Sequence, residues 1–235
     1  MVPLLPFYVF YSIDFFKVSW SDTLQQGIAF NALEACAYLG IDAVALDRLW
    51  RQCEAENKRA KLGGGFYCGL IDTVPDKGPI YVFNGFFMSM RAKFVCPGTS
   101  IHYYVVEFDS SHLTWADFRG RVLGPTDPNA APPDSIRGTI LAQWQSLNLA
   151  AEPNVGDNSV HASASPFEGL AERMNWLGVD CASDGFGSKL LAAGISLDII
   201  KAWTVDPQVK GASLFDSLED LDCDAALQKA VELAS

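Results

Sequence analysis

The residue best placed for chemistry is His161, in the segment NSVHASAS (158–165). Residues 159–161 read as a brief strand and residues 166–177 as a helix, with Pro166 suited to a first helical turn. A histidine leaving that strand faces the start of the helix. Unpaired amides and the positive end of the helix dipole draw anions there, and imidazole is a competent nucleophile. The chemistry favoured by this setting is phosphoryl chemistry. A lone histidine so placed more often has a structural or incidental role, so its neighbours decide. His102 and His112 have no comparable setting.

Composition narrows the partners. The net charge of -11 excludes nucleic acid and anionic membrane as main partners, because both require a basic footprint. It leaves a small phosphorylated ligand open, since a few gathered arginines can hold a polyphosphate on an acidic protein. No uninterrupted apolar run reaches the length of a membrane helix. The apolar N-terminus carries no basic residue before Lys17, so no secretory leader is expected. Six cysteines form no C-x-x-C pair and have no histidine at metal-finger spacing. They read as free thiols in a reducing compartment, which points to a cytoplasmic protein.

The elements that would position His161 follow from periodicity. Strands are expected at 6–13, 66–73, 101–109 and 159–161, the run IHYYVVEFD (101–109) being the clearest. Helices are expected at 21–39, 42–60, 85–94, 115–121, 135–147, 166–177 and 214–234. The loop GPTDPNAAPPD (124–134) carries four prolines, which fix its backbone and deny it regular pairing. Four strands interleaved with helices predict an α+β sandwich on a small, mostly antiparallel sheet. The acidic stretch DSLEDLDCD (216–224) reads as a solvated helical face.

The segment around His161 resembles the active-site signature of the nucleoside diphosphate kinases, Asn-x-x-His-Gly/Ala-Ser-Asp: Asn158, His161, Ala162 and Ser163 match it. Glu172 falls where that family keeps the glutamate orienting the histidine, and Trp176 on a tryptophan common in the following helix. Upstream, GRVLGPTDP (120–128) and SIRG (135–138) resemble the family's phosphate-gripping segment and align Arg121, Thr126 and Arg137 with it. Arg119 competes with Arg121, because the spacing to Thr126 is one residue short. Val155 and Gly156 precede the histidine segment as in the family. Phe86 and Phe87 resemble its Phe-Phe pair, one ring of which covers the base. The resemblance spans about residues 80–177.

It implies a ferredoxin-like α/β sandwich with a four-stranded antiparallel sheet and extra helices near the N-terminal region and the C-terminus. Residues 1–177 would form the domain and 178–235 a helical extension packed on it. The implied activity is a ping-pong transfer of the γ-phosphate of a nucleoside triphosphate to a nucleoside diphosphate through phospho-His161. Glu172 would orient the ring, Arg121, Thr126, Arg137 and Asn158 would hold phosphate or sugar, and Phe86 the base. Mg²⁺ would arrive on the nucleotide, and a homo-oligomer is expected.

Three departures bear on this. The family's first strand ends in Lys-Pro-Asp, whereas Ser12-Ile13-Asp14 offers no lysine here. Loss of one charged donor costs a phosphoryl-transfer site about 3–4 kcal/mol, unless Lys17, Lys77 or Lys93 replaces it. Ala164 stands where the signature has aspartate, and the link from Arg137 to Asn158 is longer than the family's. A non-catalytic nucleotide-binding or assembly module is therefore the alternative class.

Overall fold

Gly27, Asn31 and Asp42 punctuate the early chain. Gly27 takes a left-handed backbone (φ +65°) and ends a short helix, α1 (Trp20–Gln25). The chain turns into β1 (Ala29–Asn31), and Asn31 caps α2 (Ala32–Leu39) through a capping box with Glu34. Asp42 caps α3 (Ala43–Ala55) by accepting from the Ala45 amide at 2.7 Å. The single helix expected over 21–39 is therefore two helices with a strand between them. The helix expected over 42–60 stops at Ala55, and a left-handed Asn57 redirects the chain into β2 (Arg59–Gly63).

This computed structural model describes residues 15–63 and 65–235. The strand expected at 6–13 and the lysine-free stretch 12–14 lie outside the described residues. The chain divides into two units, one ending at Tyr103 and one beginning at Tyr104.

In the first unit, β3 (Phe66–Ile71) pairs antiparallel with β2 and with β4 (Ile80–Phe83), and β4 pairs parallel with β1. The order is β1-β4-β3-β2. The sheet is mixed rather than antiparallel, and of the expected strands that fall on described residues it uses that at 66–73, here Phe66–Ile71. The reason for the parallel pair is the crossover: β1 returns to β4 through helices and the β2–β3 hairpin. Ile80 and Val82 pack with Ala35, Leu39 and Leu46 of the helices on one face, while Tyr81 and Phe83 pack with Trp20 on the other. Burial on both faces explains why β4 is continuously apolar. Helix α4 (Phe87–Val95) follows.

The second unit opens without the strand expected over 101–109. Residues Tyr103 to Val106 are exposed and carry no strand pairing. β-propensity describes fitness for a pleated surface, and without a paired neighbour it builds no strand. A helical turn, α5 (Trp115–Asp117), continues into a π-helix, Phe118–Leu123. Then come α6 (Ile136–Gln143) and α7 (Pro166–Leu177). After these lie α8 (Gly185–Ala192), α9 (Leu197–Trp203), the hairpin β5 (Gln208–Val209) and β6 (Ala212–Ser213), α10 (Leu214–Leu218) and α11 (Cys223–Ala234). Phe167 and Leu170 of α7 share one core with Leu190, Ile200, Leu218 and Ala230 from the later helices. The 178–235 segment thus forms the surroundings of the helix that follows His161. No helix among the described residues is long and apolar enough to cross a membrane.

Close packing in the first unit makes a test. A Cβ on Gly85 would lie 2.6 Å from the Trp50 ring, which is buried. Gly85→Ala is expected to destabilise the first unit by about 1–3 kcal/mol through overpacking, read as a lowered urea midpoint with Trp50 fluorescence as the probe.

Candidate active site

Helix α7 supplies the ruler of the site. Ser165 caps it by accepting from the Glu168 amide at 3.1 Å, Pro166 opens it, and a left-handed Gly178 closes it. Its buried face, Phe167, Leu170 and Ala171, is fixed in the core. The opposite face must then present Glu168 and Glu172, four residues apart, to the segment before the helix.

That segment is bonded down at several points. The Asn158 side-chain amide donates to the Thr126 carbonyl at 3.1 Å. The Val160 carbonyl accepts from Arg137 at 2.7 Å. The indole N–H of Trp115 donates to the Ser163 carbonyl at 2.8 Å, and the Ser163 hydroxyl donates to Glu172. The Ala164 amide donates to Glu168. Residues 159–161, expected as a strand, are irregular here: Ser159 is left-handed (φ +70°), which breaks an extended run, and Arg137 takes the Val160 carbonyl.

His161 is held by one hydrogen bond, from Nε2 to Glu172 at 2.7 Å. Nδ1 has no hydrogen-bond partner among the described residues. The bond to Glu172 raises the imidazole pKa above its ordinary 6.5, while burial and Arg119 oppose the rise and Glu168 adds to it. Burial pushes the Glu172 carboxyl up, but the bonds from His161 and Ser163 outweigh it and leave the group below the ordinary carboxylate value. Glu168 moves the other way: burial raises it, and the nearby Glu172 reinforces the rise. His161, Glu168 and Glu172 offer ligand atoms within 4.8 Å of one another, so they are the group at this site that a divalent ion could engage.

A cleft of about 520 Å³ opens in front of His161, lined among others by Arg119, Thr126, Arg137, Asn158, Glu168 and Asp220. Of the residues anticipated from sequence, His161, Thr126, Arg137 and Asn158 line it, and Glu172 touches it through His161. Arg121 does not. It is exposed and stands 3.9 Å from Asp117, whereas Arg119 lines the cleft. Two residues apart on a helical turn point to opposite sides, so only one of the pair can face His161. Val155 sits exposed in the tight turn between Asn154 and Asp157, outside the cleft. Phe86 belongs to the first unit, where its ring packs against Trp50 at 6.1 Å and Tyr67 at 6.4 Å. Lys77, also in the first unit, spends its ammonium on the Tyr38 carbonyl at 2.9 Å.

The two cleft arginines are not alike. Arg137 is buried, with one terminal nitrogen donating to the Gly124 carbonyl at 2.6 Å and the other to Val160 at 2.7 Å. Its Nε is buried without a partner. The helix that carries it presses on the proline-rich loop: a Cβ on Gly138 would fall 2.1 Å from the Pro132 carbonyl oxygen. Arg137 therefore clamps the 124 loop to the His161 segment. Arg119 reaches Glu219 at 2.9 Å and also bonds Asp220. Burial draws its pKa down, but these two carboxylates outweigh that and raise it.

Sequence reasoning did not single out Glu168, Glu219, Asp220 or Trp115 as site residues. Only Glu168 left a signal, its spacing of four from Glu172 on a helix next to a histidine. No family model matches this chain, and no curated protein or solved structure matches it.

Two outcomes follow. Glu172→Gln removes the carboxylate that holds up the imidazole, so the His161 midpoint in an NMR titration is expected to fall from its raised value toward or below 6.5. Arg137→Ala is expected to cost about 2–3 kcal/mol, because a buried and a half-buried carbonyl lose charge-assisted donors. Arg137→Lys should recover only part of this, since an ammonium cannot fork between them. Urea denaturation of both variants checks it.

Proposed function

We propose that the chain is a nucleoside-diphosphate-kinase-like phosphotransferase that moves the γ-phosphate of a nucleoside triphosphate to a nucleoside diphosphate through phospho-His161. The observation that carries this reading is the His161–Glu172 bond at 2.7 Å, made through Nε2 and leaving Nδ1 unpartnered beside a cleft.

The chemistry follows from that tautomer. With its Nε2 proton held on Glu172, a neutral imidazole carries its lone pair on Nδ1. That pair attacks the γ-phosphorus, the bridging β–γ P–O bond breaks, and the leaving diphosphate takes the bonding electrons. Glu172 offsets the positive charge that grows on the ring. In the second half, an oxygen of the acceptor diphosphate attacks the same phosphorus and the P–N bond breaks, returning neutral His161. Ser163 holds the second oxygen of Glu172, so the carboxylate cannot swing away. Thr126 and Asn158, bonded to each other at the cleft wall, would contact phosphate or sugar. Mg²⁺ enters with the nucleotide as part of the substrate and screens the phosphate charge. In this reading Arg119 takes the role that the resemblance gave to Arg121, and the base platform expected from Phe86 is not carried over.

A second reading, a non-catalytic nucleotide-binding module, is favoured by one observation: both cleft arginines are already bonded, Arg137 to carbonyls and Arg119 to carboxylates.

Incubation with γ-labelled ATP and Mg²⁺ separates the two. The phosphotransferase is expected to acquire acid-labile label that is absent in His161→Ala and discharged by a nucleoside diphosphate. Bound nucleotide without label would establish the binding module instead.

A further inference from the structure

The acidic turn that joins α10 to α11 sits in the cleft. It is fixed there at several points. Leu214 and Leu218 are fully buried and anchor α10 below it. The Asp220 amide donates to the Ala164 carbonyl at 2.9 Å, three residues from His161. The Asp222 carboxylate accepts from the Trp115 amide at 2.7 Å, at the start of the turn that carries Arg119. Asp220 itself is left-handed (φ +59°). Between these anchors, Glu219 and Asp220 both meet one nitrogen of Arg119, Nη1, and both line the cleft with His161.

A guanidinium fork binds a carboxylate and a phosphate through the same donors. Glu219 and Asp220 therefore occupy the place that a phosphate oxygen would take on Nη1 of Arg119. We propose that Glu219 and Asp220 are specificity-determining residues of the cleft, an internal carboxylate pair that competes with a ligand's phosphate oxygens for Arg119. A phosphate group enters the site only if its other contacts outweigh two carboxylates already in place. A bare polyphosphate meets both an Nη1 already taken and two negative charges at the cleft wall. The proposal rests on reading the cleft as a phosphate site, though not on group transfer.

Both carboxylates are exposed, so each ion pair is weak and open to competition. That weakness lets the pair discriminate among ligands without closing the cleft.

Calorimetry of the full chain with inorganic tripolyphosphate tests this at low salt. The Glu219→Gln/Asp220→Asn variant is expected to bind about tenfold more tightly than the unaltered chain. Asparagine is used at 220 because it tolerates the left-handed backbone, and thermal unfolding verifies that the variant is folded. Adding Arg119→Ala is expected to abolish the gain. A control that removes the same charge elsewhere on the second unit, Asp198→Asn/Glu232→Gln, is expected to give none. Equal binding by the unaltered chain and the released variant, with Arg119→Ala weakening both, would overturn the competition and leave the phosphate site standing. A gain that persists without Arg119, or that the control reproduces, would reduce the effect to net charge and overturn it. No binding by any of them would sink the phosphate reading and the proposal together.

Discussion

The guanidinium of Arg137 lies buried between the carbonyls of Gly124 and Val160, and the geometry of the cleft follows from that placement. A buried charge with its donors directed at backbone oxygens tolerates little displacement, because each lost bond leaves a desolvated group unpaired. The clamp joins two stretches far apart in sequence. One brings Thr126 to the wall, and the other brings Asn158 and His161. The proline-rich loop gains its fixed course twice, once from the rings that restrict it and once from the pressure of α6 at Gly138. A residue whose type would serve to bind phosphate is here committed to architecture.

Helix α7 completes what the clamp begins. Its core face is packed by helices from the last quarter of the chain, which leaves it a single rotational setting and so a single place for Glu168 and Glu172. Those two carboxylates receive different environments one turn apart. Glu172 accepts from His161 and Ser163 and stays ionised, while burial favours the neutral form of Glu168. A pair pushed in opposite directions is the usual signature of a site that handles charge.

Local signals in the sequence were legible where local physics decides. Ser165, Pro166 and Gly178 mark the ends of α7, and the helix runs over the residues their chemistry indicates. Gly27 and Asn31 carried equally local signals, a breaker and a cap, but the apolar periodicity across them reads as one helix. What needs a partner from elsewhere was not legible. The run at 101–109 has strand composition and no strand, since composition does not supply a neighbour. The phase of the π-helix decides between Arg119 and Arg121, and nothing in the residue types states that phase. Glu219 and Asp220 lie in a stretch whose charge pattern reads as solvated surface. Their place in the cleft depends on how α10 packs more than fifty residues after His161.

The shared core of α7 through α11 also has a meaning in time. A chain is made from its N-terminus, at about 5–20 residues per second. His161 and α7 therefore exist for some seconds before Leu214, Leu218, Ala226 and Ala230 are available to enclose Phe167 and Leu170. During that interval the helix has its caps but not its core, and the two glutamates have no fixed orientation. The arrangement around His161 thus comes into being only once residues 214–230 have been made, together with the acidic turn that accompanies it.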